Sequence, residues 1–149
     1  MKHFTASSRN FLLVLIFLAK LAQAQFYESK IGAPSGIDQF RTADEIAIDK
    51  LGNVYVLDRS SLAIKKFNNV GVPLLQWEIG ATFPNGIAVG KSGDIYIADG
   101  SSHGILKFNQ DGVLLGRWGQ YGPGFGDFSN PIAVVVDQDE NVYVADHGN

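Results

Sequence analysis

Asp49-Lys-Leu-Gly-Asn-Val-Tyr-Val-Leu-Asp58 is written twice more, as Gly90-Lys-Ser-Gly-Asp-Ile-Tyr-Ile-Ala-Asp99 and Asp137-Gln-Asp-Glu-Asn-Val-Tyr-Val-Ala-Asp146. Its starts at 49, 90 and 137 lie 41 and 47 residues apart. Turn-forming residues lead into four apolar ones in every copy, the order of a hairpin turn opening a strand. A strand unit recurring at such intervals marks a modular array of β-sheets.

The flanks repeat as well. Ile64-Lys-Lys-Phe67 and Ile105-Leu-Lys-Phe108 each end nine residues after their aspartate, and Trp77 and Trp118 follow each Phe by ten. Between them, Val70-Gly71 and Asp111-Gly112 supply the positive φ a hairpin needs. Upstream lie Ile46-Ala-Ile48, Ile87-Ala-Val89 and Ile132-Ala-Val-Val-Val136. One unit therefore reads as four strands, near 45–49, 53–58, 62–67 and 73–78, repeated 41 residues later; the third copy holds two strands before Asn149. Gly36-Ile-Asp-Gln-Phe40 matches Gly124-Phe-Gly-Asp-Phe128 in its distance from the next strand, so Phe26 to Ile31 is expected to be the last strand of a preceding unit. The units run approximately 40–80, 83–121 and 128–149, the last truncated.

Val54-Tyr-Val-Leu57 and its counterparts are apolar on both faces, so both faces must be covered. Stacked four-stranded blades do this, and a radial array of them is a β-propeller. A two-sheet sandwich is the competing reading, but it has no need of the same hairpin sequence in every unit. The expected fold is all-β, a propeller of four-stranded blades with about two and a half present, preceded by a signal-peptide helix.

Residues 1–24 read as that signal peptide, with a basic start (Lys2, Arg9), an apolar run from Phe11 to Ala19, and Ala22-Gln23-Ala24 placing cleavage between Ala24 and Gln25. The run is well short of the roughly 20 residues of a spanning helix, although an uncleaved anchor is the alternative. The expected location is secreted or periplasmic, without stable membrane insertion after cleavage. Cleavage removes Lys2, Arg9 and Lys20 and no acid, leaving nine basic against fifteen acidic residues, a net charge of −6. That balance disfavours nucleic acid and anionic membranes. No cysteine is present, which excludes disulfides, thiolate nucleophiles and Cys-based zinc sites.

Phe83-Pro-Asn-Gly-Ile-Ala-Val89 followed by Gly93-Asp-Ile-Tyr-Ile-Ala-Asp99 resembles the NHL repeat, as does the glycine-rich run Trp118-Gly-Gln-Tyr-Gly-Pro-Gly-Phe-Gly-Asp-Phe128. The resemblance covers nearly all of 26–149 and implies closed rings of about six blades. Two departures stand out. Gly90 replaces the aspartate of the other copies, and Glu140 replaces the turn glycine, Gly52 or Gly93. A left-handed turn residue there costs Glu140 about 1–2 kcal/mol, so the third copy is expected to turn differently. Stopping in mid-blade at Asn149, the chain reads first as a fragment of a longer propeller, and second as a homo-oligomer that completes a ring.

Chemical motifs are sparse. Asp137-Gln-Asp-Glu-Asn141 has the opening of a calcium loop but lacks its glycine and distal glutamate, and reads as a solvated turn. Asp58, Asp99 and Asp146 recur where a carboxylate can accept from loop N–H groups, and recurrence in every copy points to blade building. Tyr55, Tyr96 and Tyr143 read as inter-blade packing, and Trp77 and Trp118, near the end of the outermost strand, as packing too. Lys65, Lys66 and Lys107 are assigned to the wet side of the third strand, and His103 and His147 to loops without metal-site spacing.

The expected function is a noncatalytic binding scaffold that docks a protein, peptide or glycan through blade loops, with no cofactor, metal or catalytic residue and no site yet assigned. Arg59, Ser60, Ser101 and Ser102 are the first loop residues to mutate once a ligand is known. The alternative, implied by related propellers, is a fragment of a metal-dependent lyase or lactonase with most ligands in missing blades, toward which Glu45, Asn85 and Asn130 could contribute. A role in RNA or ubiquitin regulation, known for animal NHL proteins, is disfavoured by the acidic balance and the absence of cysteine.

Overall fold

The computed structural model describes residues 40–149. The signal peptide and the strand expected at Phe26–Ile31 lie outside the described residues. Ten strands follow: β1 (Ala43–Ile48), β2 (Val54–Asp58), β3 (Ala63–Phe67), β4 (Pro73–Glu78), β5 (Pro84–Val89), β6 (Ile95–Asp99), β7 (Gly104–Phe108), β8 (Leu114–Trp118), β9 (Pro131–Val136) and β10 (Val142–Asp146). They form two four-stranded sheets, ordered β1-β2-β3-β4 and β5-β6-β7-β8, and one two-stranded sheet of β9 and β10. All pairings within the sheets are antiparallel. The innermost strands β1, β5 and β9 stand side by side, which makes the sheets successive blades of a propeller.

The blades stack in order because each second strand is apolar on both faces. On one face of the first blade, Tyr55, Leu57 and Ile64 pack against Ile87, Ile95, Ile97 and Phe108 of the second. The second blade turns Tyr96, Ala98 and Ile105 toward Val134, Val142 and Val144 of the third. The first blade's other face buries Val54, Val56 and Phe67 around Phe40. Phe40 and Phe128, both partly buried, occupy corresponding places before their blades, and the corresponding residue of the second blade is Ala81, which is buried. Phe83 is not the packed residue before the second blade; it is about half exposed.

Asp49, Gly90 and Asp137 open the same turn in all three blades. The N–H of Gly52, Gly93 or Glu140 donates back to the carbonyl of the first turn residue at 3.0, 3.0 or 3.2 Å. Gly52, Gly93 and Glu140 are left-handed, with φ of 83°, 92° and 64°. The expectation that the third copy turns differently is therefore corrected: Glu140 keeps the shared shape.

The third strand also required a correction. Lys66 and Lys107 lie on its partly exposed side, with their ammonium groups 5.3 Å from the ring centres of Tyr55 and Tyr96. Lys65 is buried rather than wet, because its ammonium meets a buried carboxylate, that of Asp58, at 2.9 Å.

Candidate functional site at the aspartate end of the blades

Asp58, Asp99 and Asp146 end β2, β6 and β10, and the hairpin register puts all three at the same end of the stack. Asp58 accepts from the backbone N–H of Arg41 (3.0 Å) and Thr42 (2.9 Å) and from Lys65 Nζ (2.9 Å). Asp146 accepts from the Ser129 N–H at 2.7 and 2.9 Å, the corresponding bond in the third blade. Asp99 instead accepts from the Ser101 N–H (3.1 Å) and from the hydroxyls of Ser101 and Ser102. Each carboxylate thus ties loop segments to its blade. Burial works against ionisation of Asp58, but Lys65 and the amides of Thr42 and Arg41 outweigh it and hold the carboxyl at about 2.

The loop side chains that sequence singled out are engaged in the same way. Arg59 Nε pairs with Asp44 at 3.0 Å, and its guanidinium lies 5.5 Å from the ring centre of Phe83 on the next blade. The Ser60 hydroxyl meets that of Thr42. His103 Nδ1 accepts from the Asn130 N–H at 3.1 Å, which fixes the long loop before β9.

The remaining recurrent side chains pack. Tyr55 and Trp77 meet edge to face at 6.4 Å, and Trp77 reaches Phe108 of the next blade at 6.3 Å. Gly112 (φ 78°) leaves room for that indole, since a Cβ there would lie 2.7 Å from it. Tyr96 and Trp118 repeat the edge contact at 6.0 Å. Tyr143, on the uncovered face of β10, is exposed, and its hydroxyl donates to Asp137 at 3.0 Å.

Asp137 accepts from the Asp139 and Asn141 N–H groups and the Asn141 amide, so its oxygens serve the turn. Hydrogen bonds from Asn141 first, then from Tyr143 and Asp139, hold this carboxyl at about 2. Glu45, Asn85 and Asn130 do not form a corresponding set. The strand pairings skip Asp44 and Asn85 at matching bulges in β1 and β5, and Ile132 takes that place in β9. Asn85 donates to the Pro131 carbonyl at 2.9 Å, and Asn130 lies before β9 at φ 68°. Among the described residues, no three His, Asp or Glu side chains are grouped to hold a metal ion.

Three aromatics at this end, Phe83, Tyr121 and Phe125, stand in the family-like motifs but are not among the candidate site residues, because they do not recur between blades. Phe83 is 48% exposed, Tyr121 72% exposed, and Phe125 fully exposed. Tyr121 and His103 meet edge to face at 5.1 Å, and Tyr121 pairs with Phe128 to close the glycine-rich loop. A break in periodicity marks them: Tyr55, Tyr96 and Trp77, which recur, pack between blades, whereas these three, which appear once, face solvent, as does Tyr143 where no blade covers it.

Residues 82–108, spanning β5 to β7, match the NHL repeat family. No curated protein matches the chain. Among solved structures, it is similar to a streptogramin B lyase, with 19% identity, 72% of this chain and 35% of the other covered, and a TM-score of 0.59. A hydrazine synthase from Kuenenia stuttgartiensis aligns with 13% identity over 83% of this chain and 33% of the other, TM-score 0.61. The calcium-binding protein regucalcin from Agrobacterium tumefaciens aligns with 14% identity over 74% and 40%, TM-score 0.52. These likenesses establish the propeller-type fold alone. The chain spans between a third and two fifths of the length of these structures.

Proposed function

We propose that the chain, whose second blade matches the NHL repeat, is a noncatalytic binding module of an exported propeller. It docks a protein, peptide or glycan through the loops at the aspartate end. The observation that carries this reading is the exposure there of the one-copy aromatics Phe83, Tyr121 and Phe125. Aromatic side chains are enriched at interfaces, and Tyr and Arg are among the residues that carry most binding energy. Here Arg59 lies over Phe83 and His103 packs against Tyr121. The loops are tied down by carboxylates and hydroxyls, so little ordering cost opposes binding.

The test is a peptide-display selection and a glycan array run on the chain and on its Tyr121→Ala/Phe125→Ala variant. Ligands that the double substitution weakens about tenfold or more, the loss of ~1.4 kcal/mol, support the reading. Ligands bound equally by both forms contradict it.

A second reading is a piece of a propeller enzyme, since a streptogramin B lyase and a virginiamycin B lyase are among the similar structures. Glu45 on the innermost strand favours it: partial burial, and then Asp44, hold its carboxyl above the usual range, against the pull of Arg59. A stoichiometric metal ion in the longest natural form of the protein would support this reading; metal-free protein would remove its metal-dependent version.

A further inference from the structure

Two departures from the repeat meet in space. In the first blade, the Asp49 carboxylate accepts from the N–H of Leu51 (2.9 Å) and Asn53 (2.9 Å) and from the Tyr55 hydroxyl (3.3 Å). In the third, Asp137 accepts from the N–H of Asp139 and Asn141 and from the Tyr143 hydroxyl. The second blade has Gly90 at this position and no carboxylate of its own. Glu140 of the third blade reaches across instead. Its Oε1 accepts from the Ser92 N–H at 2.6 Å, and its Oε2 from the Tyr96 hydroxyl at 3.5 Å. Ser92 and Tyr96 correspond to Leu51 and Tyr55. A Cβ on Gly90 would lie 2.5 Å from Glu140 Oε2, so the glycine makes the space that the carboxylate fills.

We propose that Gly90 and Glu140 form an order-setting latch, in which the third blade supplies the turn carboxylate that the second blade lacks. Each blade interface then holds one carboxylate at this place. At the first it is Asp49 of the leading blade, with Gly93 at the turn of the following one. At the second it is Glu140 of the following blade, with Gly90 in the leading one. Two would collide and repel, and none would leave the Ser92 N–H and the Tyr96 hydroxyl without this acceptor. Glu140 makes this reach from the left-handed turn position, φ 64°, where the other two blades have glycine.

The latch is tested by introducing Gly90→Asp into the wild-type chain and into the Glu140→Gly background. In the wild type the substitution should lower Tm, on the order of 4–8 °C for a domain of this size. In the Glu140→Gly background, where it restores the turn of the first blade, it should raise Tm. If Gly90→Asp prevents folding in the wild type but not in that background, the same reversal is read. Hydrogen exchange at the Ser92 amide gives a local measure: protected in the wild type, fast in Glu140→Gly, protected again in the double variant. A Tm shift of the same sign and size in both backgrounds, or Ser92 exchange unaffected by Glu140→Gly, would overturn the proposal.

Discussion

The Lys65 ammonium lies 2.9 Å from the Asp58 carboxylate, with both side chains buried, whereas Leu106 takes the corresponding place beside Asp99. The second blade does without the cation because the Ser101 and Ser102 hydroxyls donate to Asp99. In the first blade Ser60 bonds Thr42 instead, and Ser61 donates to the Asp58 carbonyl and is the weakest of the groups that lower its carboxyl. Removing Lys65 therefore takes the cation from a buried carboxylate and leaves it the Arg41 and Thr42 amides and the Ser61 hydroxyl. Lys65→Leu is expected to cost about 3 kcal/mol, the low end for breaking a buried pair, because the Arg41 and Thr42 amides stay. Urea denaturation checks this.

Acid should act on the same pair. Asp58 titrates at about 2 when folded and near 3.9 when unfolded, so the unfolded state binds the proton more tightly. Its contribution, on the order of 2 kcal/mol, is present at neutral pH and is lost as pH falls from about 4 through about 2. In Lys65→Leu the folded pKa rises toward the unfolded value, which narrows that window. Stability measured from pH 6 to pH 2 should fall less steeply below pH 4 in the variant than in the wild type.

The loop aromatics should separate binding from stability. Tyr121→Ala and Phe125→Ala remove exposed rings and are expected to change stability by no more than about 0.5 kcal/mol each. Trp77→Ala, which empties the space between Tyr55 and Phe108, is expected to cost about 3 kcal/mol. Equal losses at Tyr121 and Trp77 would place the glycine-rich loop in the core and remove the basis for a binding surface there.

Periodicity made the architecture legible. The tyrosine strand, the Ile-to-Phe strand and the tryptophans recur at fixed steps, and fixed steps in sequence become fixed places in successive blades. What sequence could not reveal depends on contacts between units. Lys65 looks like any third-strand lysine until the hairpin register sets it beside Asp58. Gly90 and Glu140 each look like a defect in one repeat, 50 positions apart, and only the stacking of blades joins them. Phe83, Tyr121 and Phe125 are visible in the family-like motifs, but only the stacking of blades tells which rings are covered and which, like these and Tyr143, face solvent.

Hydroxyl-radical footprinting of Tyr55, Tyr96 and Tyr143 would read the stacking of the blades most directly, because the three occupy one repeat position under different cover. Tyr55 and Tyr96 are 0% and 3% exposed, each covered by the blade that follows, while Tyr143 is 55% exposed. In the dilute chain Tyr143 should be modified much faster than the other two, which should be slow alike. Equal rates at all three, or fastest modification at Tyr55, would mean that the blades do not cover one another in this order.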